Sequence, residues 1–252
     1  MAETRALLKI VGYTDTGVRR EYNQDHIGFD QDLGIAVLAD GMGGHKAGEV
    51  AAHMAVKFVL DKLKNFALQE TSVSITGSQL LEFVSNTISA SNAAIFQAQE
   101  AEEAYSGMGT TVVAAMVVGS QAYIAHVGDS RLYVRRNRDV KRVTKDHSLV
   151  QDLIDRGFYT EREARSANVG HVVTRALGTR QDVDVDTAEL PLQPYDLLIL
   201  CSDGLTDMVS DWQIADIIDE NITDLDLAAK KLIALANQNG GKDNISVILM
   251  QT

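Results

Sequence analysis

The chain has 252 residues, 45% of them apolar, and a formal net charge of −12, so it can bury a core of its own without disulfides, and its single cysteine, Cys201, could form none internally. Its 35 Asp and Glu against 23 Lys and Arg create a field that repels polyphosphate backbones, which argues against nucleic-acid binding. The opening MAETRALLKI lacks the apolar stretch of a secretory signal, and a cytoplasmic protein is expected.

In chain order, the first expected strand is Ile35 to Ala39, a short β-branched run bounded by Gly34 and Asp40. A helix follows from Gly48 to Phe66, with Val50, Met54, Phe58 and Leu63 at helical spacing as its inward face. A second runs from about Gln79 to Gln99 on a stripe of Leu81, Val84, Ile88 and Ile95. Ser106 to Gly128, the longest stretch without a charge, is long enough to raise the question of a membrane span. Its Ser106, Thr110, Thr111, Gly119-Ser120, Gln121 and His126 make it two strands instead, Thr111 to Val118 and Ala122 to Val127, around a tight turn. Arg131 to Arg135 is a further strand. From His147 to Gly178 the chain turns polar, with two short helices, Leu149 to Arg156 and Glu161 to Ser166, and is expected to make an excursion over the surface. Two last strands, Leu197 to Cys201 and Ile245 to Met250, enclose two helices. One starts at Ser210, where Ser-Asp-Trp-Gln has capping-box spacing, and the other runs from about Asp224 to Asn239 and stops at Gly240-Gly241. The two prolines, Pro191 and Pro194, sit together and no linker divides the chain, so one domain over residues 1–252 is expected. Hairpin-joined strands with helices grouped between them imply the α+β class, with antiparallel sheets covered by helices.

Three apolar runs end in aspartate: Ile35 to Asp40, Tyr123 to Asp129 and Leu197 to Asp203. One such Asp-Gly would read as a turn; three together, with Asp25 in Asn23-Gln24-Asp25 and Asp243 in Gly240-Gly-Lys-Asp243-Asn244, read as a site. Five carboxylates at strand ends can share one site only if cations neutralise them. Hard oxygen donors without a Cys or His cluster select Mg²⁺ or Mn²⁺ over zinc, and a pair of such ions suits phosphate-ester hydrolysis. A phosphate also calls for a guanidinium fork; Arg20, five residues before Asp25, and its neighbour Arg19 are both candidates on chemistry alone.

These residues fall into eight ordered motifs. They are Thr14-Asp-Thr-Gly17 leading to Arg20 and Asn23-Gln24-Asp25, Ala39-Asp-Gly-Met-Gly-Gly-His45, Gly107-Met-Gly-Thr-Thr111 and His126-Val-Gly-Asp-Ser-Arg131. Then come Thr144-Lys-Asp-His-Ser148, Thr174-Arg-Ala-Leu-Gly178, Cys201-Ser-Asp-Gly-Leu205 and Gly240-Gly-Lys-Asp-Asn244. The sequence resembles, nearly end to end, the metal-dependent serine/threonine protein phosphatases of type 2C, the PPM family, and especially the bacterial members that consist of the catalytic domain alone. The resemblance implies a four-layer α-β-β-α sandwich around two central antiparallel sheets, with a flap at about residues 147–178. It implies that Asp40 bridges two Mn²⁺ or Mg²⁺ ions, that Asp203 and Asp243 hold the first, and that Asp25 and the carbonyl of Gly41 hold the second. Asp129 with Asp203 would form a third, weaker site. Arg20, not Arg19, matches the phosphate-binding arginine, and His45 would donate a proton to the leaving oxygen after a metal-bridging hydroxide attacks phosphorus. The implied partners are phosphorylated proteins, substrates of a bacterial serine/threonine kinase and the kinase itself, acted on by a monomer with no membrane attachment.

The chain departs from the family pattern at Lys46-Ala47, where two small residues are usual, and at Ala167-Asn168, where many members have His-Pro. His126 reads as a core residue or one lying just behind the metal ligands. Cysteine-based phosphatases need an arginine six positions after the cysteine; here Asp207 stands there, and Cys201 reads as core. Asp182-Val-Asp-Val-Asp186-Thr187 superficially resembles the nucleophile motif of haloacid-dehalogenase-like phosphatases. It does not follow a buried strand, though, and it lacks the glycine of a calcium loop, so a solvated strand is expected. Gly41-Met-Gly-Gly-His-Lys46 fits no nucleotide loop. Two other roles compete: a phosphoprotein-binding module without turnover, and a phosphatase of anti-sigma regulators with a related fold.

Overall fold

The computed structural model describes residues 8–44, 46–69, 76–160, 163 and 172–252. His45, most of the expected helix Glu161 to Ser166, and Ala167-Asn168 lie outside them.

Eleven strands are described: β1 Lys9–Asp15, β2 Asp25–Asp30, β3 Ile35–Met42, β4 Gly109–Thr110, β5 Val112–Val118, β6 Gln121–Val127, β7 Arg131–Arg136, β8 Asp139–Arg142, β9 Asp186–Pro191, β10 Leu197–Cys201 and β11 Ile245–Gln251. One sheet has the order β1-β11-β10-β7-β8; the other has the order β2-β3-β5-β6-β9, with β4 paired to β3. Every pairing is antiparallel. The helices are α1 Ala47–Gln69, α2 Gly77–Ala101, α3 Leu149–Asp155, the single turn α4 Asp203–Thr206, α5 Asp211–Glu220 and α6 Leu225–Gln238.

Alternation along the strands builds the layers. In β3, Ile35, Val37 and Ala39 face α1 and α2, while Ala36 and Leu38 face the other sheet against Leu198, Leu200, Ile248 and Met250. The opposite faces of β10 and β11, through Ile199, Val247 and Leu249, pack on α5 and α6. Three apolar layers between four layers of structure explain why the central strands read as unbroken apolar runs: both faces are covered. The four-layer α-β-β-α arrangement expected from the sequence is present.

Local signals held at the helix ends. Ser210 N donates to Gln213 Oε1 at 3.0 Å at the start of α5, and the Asp224 carboxylate accepts from Leu227 N at 3.1 Å at the start of α6. The inward face of α1 differs from the expected one. Ala51, Ala52, Ala55, Val56 and Val59 are buried with Leu63, whereas Val50, Met54 and Phe58 are only half-buried. The reason is closeness: a Cβ at Gly28 of β2 would lie 2.8 Å from Val56 Cγ1, so the helix sits on the sheet through its smaller side chains. In α2, similarly, Leu80 is buried and Leu81 half-buried. The segment Asp182 to Thr187 alternates in exposure as a solvated strand should, but ladder pairing begins only at Asp186. Val183 and Val185 pack against the α1–α2 core without a strand partner.

The excursion leaves and returns at one place. Thr174 N donates to the His147 carbonyl at 2.8 Å, Leu149 N to the Val172 carbonyl at 2.9 Å, and Ser148 bridges to Val173. Ser148 also caps α3. Among the described residues no helix is long and apolar enough to cross a membrane.

Candidate metal and phosphate site

Five acids from separate parts of the chain converge where the two sheets meet. Asp25 opens β2 and stands directly opposite Asp40 of β3 in the ladder. Asp40 therefore lies within a strand that continues to Met42, and does not leave the sheet at its end as the sequence pattern implied. Asp129 follows β6, Asp203 begins α4 just after β10, and Asp243 precedes β11.

Mutual repulsion records their proximity. Burial, then the charges of Asp203 and Asp243, push Asp25 up from 3.8 to about 7, against hydrogen bonds from Ser246 and Ser202 that favour its charged form. Half-buried Asp40 is held well above the usual carboxylate range by desolvation and by Asp25, Asp203, Asp129 and Asp243. Desolvation, with Asp203 and Asp146, raises Asp129 to about 7. Asp25 Oδ2 accepts from Ser202 Oγ at 2.8 Å, while its Oδ1 is buried with no hydrogen-bond partner.

An orphaned buried oxygen beside several acids that resist ionisation, with all-oxygen donors, fits a pair of hard divalent cations. A consequence for stability follows. Asp25 and Asp129 are raised to about 7 from 3.8, so without metal these carboxyls hold more protons folded than unfolded across that window, offset in part at its lower end by His26, His126 and His147, which burial lowers. Stability then falls as pH rises through it. Metal-free protein is expected to melt higher at about pH 5.5 than at about pH 7.5, and Mn²⁺ to raise the melting temperature more at the higher pH. Calorimetry in chelator and in Mn²⁺ checks this; the opposite order of melting temperatures would contradict it.

Arg20 and Arg19, equivalent on chemistry, are separated by geometry. Arg20 Nη2 lies 2.6 Å from Asp243 Oδ2 and its side chain is half-exposed. Arg19 gives its backbone N–H to the Gly241 carbonyl, and its side chain makes no hydrogen bond or ion pair among the described residues. The loop carrying them is clamped by a residue whose role the sequence reading left unassigned. Buried Asn244 accepts from Gln24 N at 2.7 Å and donates to the carbonyls of Thr16 and Tyr22, both at 2.9 Å. Thr110 and Thr111 hold the backbone of Asp40 in the same way, Thr110 Oγ1 donating to its carbonyl at 2.9 Å and Thr111 Oγ1 accepting from its N–H at 3.0 Å. These supports were quoted in the motifs; what the motifs lacked was any sign of which partner each amide or hydroxyl meets.

Gly41 is pinned more tightly than any turn requires: a Cβ there would lie 2.1 Å from the Gly48 carbonyl oxygen and 2.6 Å from that of Gln24. The first turn of α1 is thereby pressed against the strand that carries Asp40. On the rim, Lys46 Nζ lies over the Tyr22 ring, 5.5 Å from its centroid.

Behind Asp129, Arg131 clasps Asp146 with contacts of 2.6 and 3.0 Å. His126 is buried, as expected, with Nε2 2.8 Å from the Lys145 carbonyl, and it stacks on His147. His126, His147 and Asp186 bring ligand atoms within 4.8 Å of one another, a cluster the sequence did not reveal. A cation already stands there, Arg175 Nη1 being 2.6 Å from Asp186 Oδ1 and 3.1 Å from His147 Nε2. Cys201 is fully buried and its thiol is pushed up to about 12 by desolvation, which removes any thiolate chemistry.

The family model of protein phosphatase 2C matches residues 17–244. The chain is 40% identical over 241 residues to the serine/threonine phosphatase stp of Listeria monocytogenes, covering 94% of this chain and 93% of that one. Serine/threonine phosphatase Stp1 of Staphylococcus aureus has a similar solved structure, with a TM-score of 0.86 and 38% identity over 98% of this chain and 96% of that one. The catalytic domain of the serine/threonine protein phosphatase PstP, solved with two manganese ions, gives a TM-score of 0.82 at 33% identity, covering 97% of each chain.

Proposed function

Because the chain belongs to the protein phosphatase 2C family and is a metal-dependent serine/threonine protein phosphatase, we propose that its five converging acids are the metal ligands and Arg20 its phosphate anchor. The observation that carries this reading is the crowding of Asp25, Asp40, Asp129, Asp203 and Asp243, which leaves several of them resisting ionisation for want of positive charge.

Asp40 would serve both ions, Asp203 and Asp243 would hold one Mn²⁺ or Mg²⁺, and Asp25 with the Gly41 carbonyl would hold the other. Asp129 with Asp203 offers the third, weaker site. When bound, such a pair of ions would supply an acidified water as nucleophile and positive charge for the phosphoryl oxygens. The chain's own groups do the rest. Arg20 uses one N–H on Asp243 and, half-exposed, keeps the remainder of its fork for the phosphoryl group. Asn244 holds the backbone of the Arg20 loop so that the guanidinium is placed before substrate arrives. His45 is the proton donor to the departing serine or threonine oxygen.

Residues 1–252 act as one catalytic unit, since both sheets contribute ligands to one cleft and share the apolar layer between them. The substrates are phosphoproteins, and by chemistry the opposing enzyme is a serine/threonine kinase, which can itself be a substrate.

Hydrolysis of a phosphothreonine peptide in Mn²⁺, in Mg²⁺ and in excess chelator tests the reading. Turnover is expected only with metal, and is expected to survive both thiol alkylation and Cys201→Ser. Turnover in chelator would overturn it, and a metal-loaded protein with no turnover would favour a phosphoprotein-binding module.

A further inference from the structure

Two loops beside the five acids meet through a contact between Lys46 and Tyr22. One carries Arg20 and Tyr22, and is fixed at its base by Asn244 Nδ2 on the Tyr22 carbonyl at 2.9 Å. The other joins the end of β3 at Met42 to α1; Gln24 Nε2 reaches its Gly43 carbonyl at 3.4 Å, and Lys46 stands just before the helix. Where they meet, the ammonium of the exposed Lys46 lies 5.5 Å from the centroid of the Tyr22 ring, and Tyr22 is 44% exposed.

Lys46 makes no hydrogen bond or ion pair among the described residues, although the chain has 35 acids to 23 Lys and Arg. Neither of the nearest acids in sequence pairs with it: Glu21 accepts the Tyr22 hydroxyl at 3.0 Å, and Glu49, in the first turn of α1, forms no ion pair with Lys46 among the described residues. An unpaired cation held over an aromatic face, where the loop of the proposed phosphate anchor meets the loop that follows the Asp40 strand, is placed to meet whatever extends from a phosphorylated residue bound there. A cation–π contact at an exposed site is weak enough for the ammonium to turn towards an incoming anion while keeping its stem on the ring.

We propose that Tyr22 and Lys46 form a recognition lip that binds an anionic group beside the phosphorylated residue of the substrate. The inference rests on the phosphatase reading above and adds a preference to it. The anion is a carboxylate side chain or a second phosphate; both present oxygen acceptors to one ammonium.

The test uses four phosphothreonine peptides that differ only in the flanking residue: Glu, a second phosphothreonine, Ala and Lys. Wild-type protein with Mn²⁺ is expected to prefer Glu over Ala in kcat/KM by about threefold to fivefold, the size an exposed ion pair supports, and to discriminate against Lys. The doubly phosphorylated peptide is expected to exceed Glu if phosphate is the better ligand, and to match it if any anion serves. The preference is expected to vanish in Lys46→Gln, to persist in Lys46→Arg, and to shrink as salt rises from about 0.05 to 0.5 M. Its appearance chiefly in KM would mark recognition. A preference unchanged in Lys46→Gln, or equal rates on all four peptides in wild-type protein, overturns the lip and leaves the phosphatase standing. Failure to hydrolyse any of them brings down both.

Discussion

Asp40→Asn is expected to abolish turnover while making the metal-free protein more stable. The two effects have one cause. Asp40 is desolvated by burial and pressed by the charges of Asp25, Asp203, Asp129 and Asp243, so a neutral amide relieves the cost of carrying a carboxylate in the metal-free site and leaves the ladder pair with Asp25 in place. The same change removes the carboxylate assigned to both core ions. A bound metal supplies several kcal/mol of charge stabilisation in the transition state, so turnover is expected to fall by about a thousandfold or more. The measurements are kcat in saturating Mn²⁺, Mn²⁺ stoichiometry by calorimetry, and melting temperature in chelator. A variant that melts lower than wild type without metal would show that Asp40 is held by attractions, not crowding. Asp129→Asn provides the comparison: turnover is expected to fall with the two core ions still bound.

Gly41→Ala is expected to damage both stability and activity through a single methyl group. Its Cβ would stand 2.1 Å from the Gly48 oxygen, 2.5 Å from the Gly48 carbonyl carbon and 2.6 Å from the Gln24 oxygen, all backbone atoms that cannot rotate away. Either α1 lifts off β3 or the strand shifts under it. Overpacking of this kind costs about 3 kcal/mol, which for a chain of this size corresponds to roughly 6–12 °C in melting temperature. Activity is expected to be low even well below that temperature, since the displaced residue adjoins Asp40. Gly44→Ala is the matched control: a Cβ there has nothing within 4 Å, and its melting temperature is expected to stay within about 1 °C of wild type. Equal melting temperatures for the two variants would mean that β3 and α1 can part at Gly41 without loss of stability.

The acids of the site were legible because three of them terminate or interrupt runs too apolar to be anything but buried strands. Their grouping needed only the rule that buried like charges require counter-charge. The strands β1 and β2 were not legible, and the same physics hid both. Each has a glycine at mid-strand, Gly12 or Gly28, where local preference reads a break. In the fold these are the places where a Cβ would strike Phe29 at 3.0 Å or Val56 at 2.8 Å, so the glycines mark close packing. The inward face of α1 was misread for a related reason: weight was given to large side chains, and the close approach to the sheet selects small ones. Arg19 and Arg20 could not be separated by chemistry, since the choice depends on a clamp from Asn244, more than two hundred positions away. The cluster of His126, His147, Asp186 and Arg175 was invisible for the same reason, being assembled by the closure of the excursion.

That closure bears on how the protein can change. Because the chain leaves at His147 and rejoins at Thr174 through a 2.8 Å hydrogen bond, everything between them is a side branch whose ends are already tied. Lengthening a tied loop costs little, about 0.6 kcal/mol for each doubling. Among the described residues neither sheet draws a strand from it, and none of the five acids lies in it. The branch is therefore an exchangeable cassette: a lineage can rewrite it, or an engineer transplant it, while the strands and turns that carry the five acids are inherited intact.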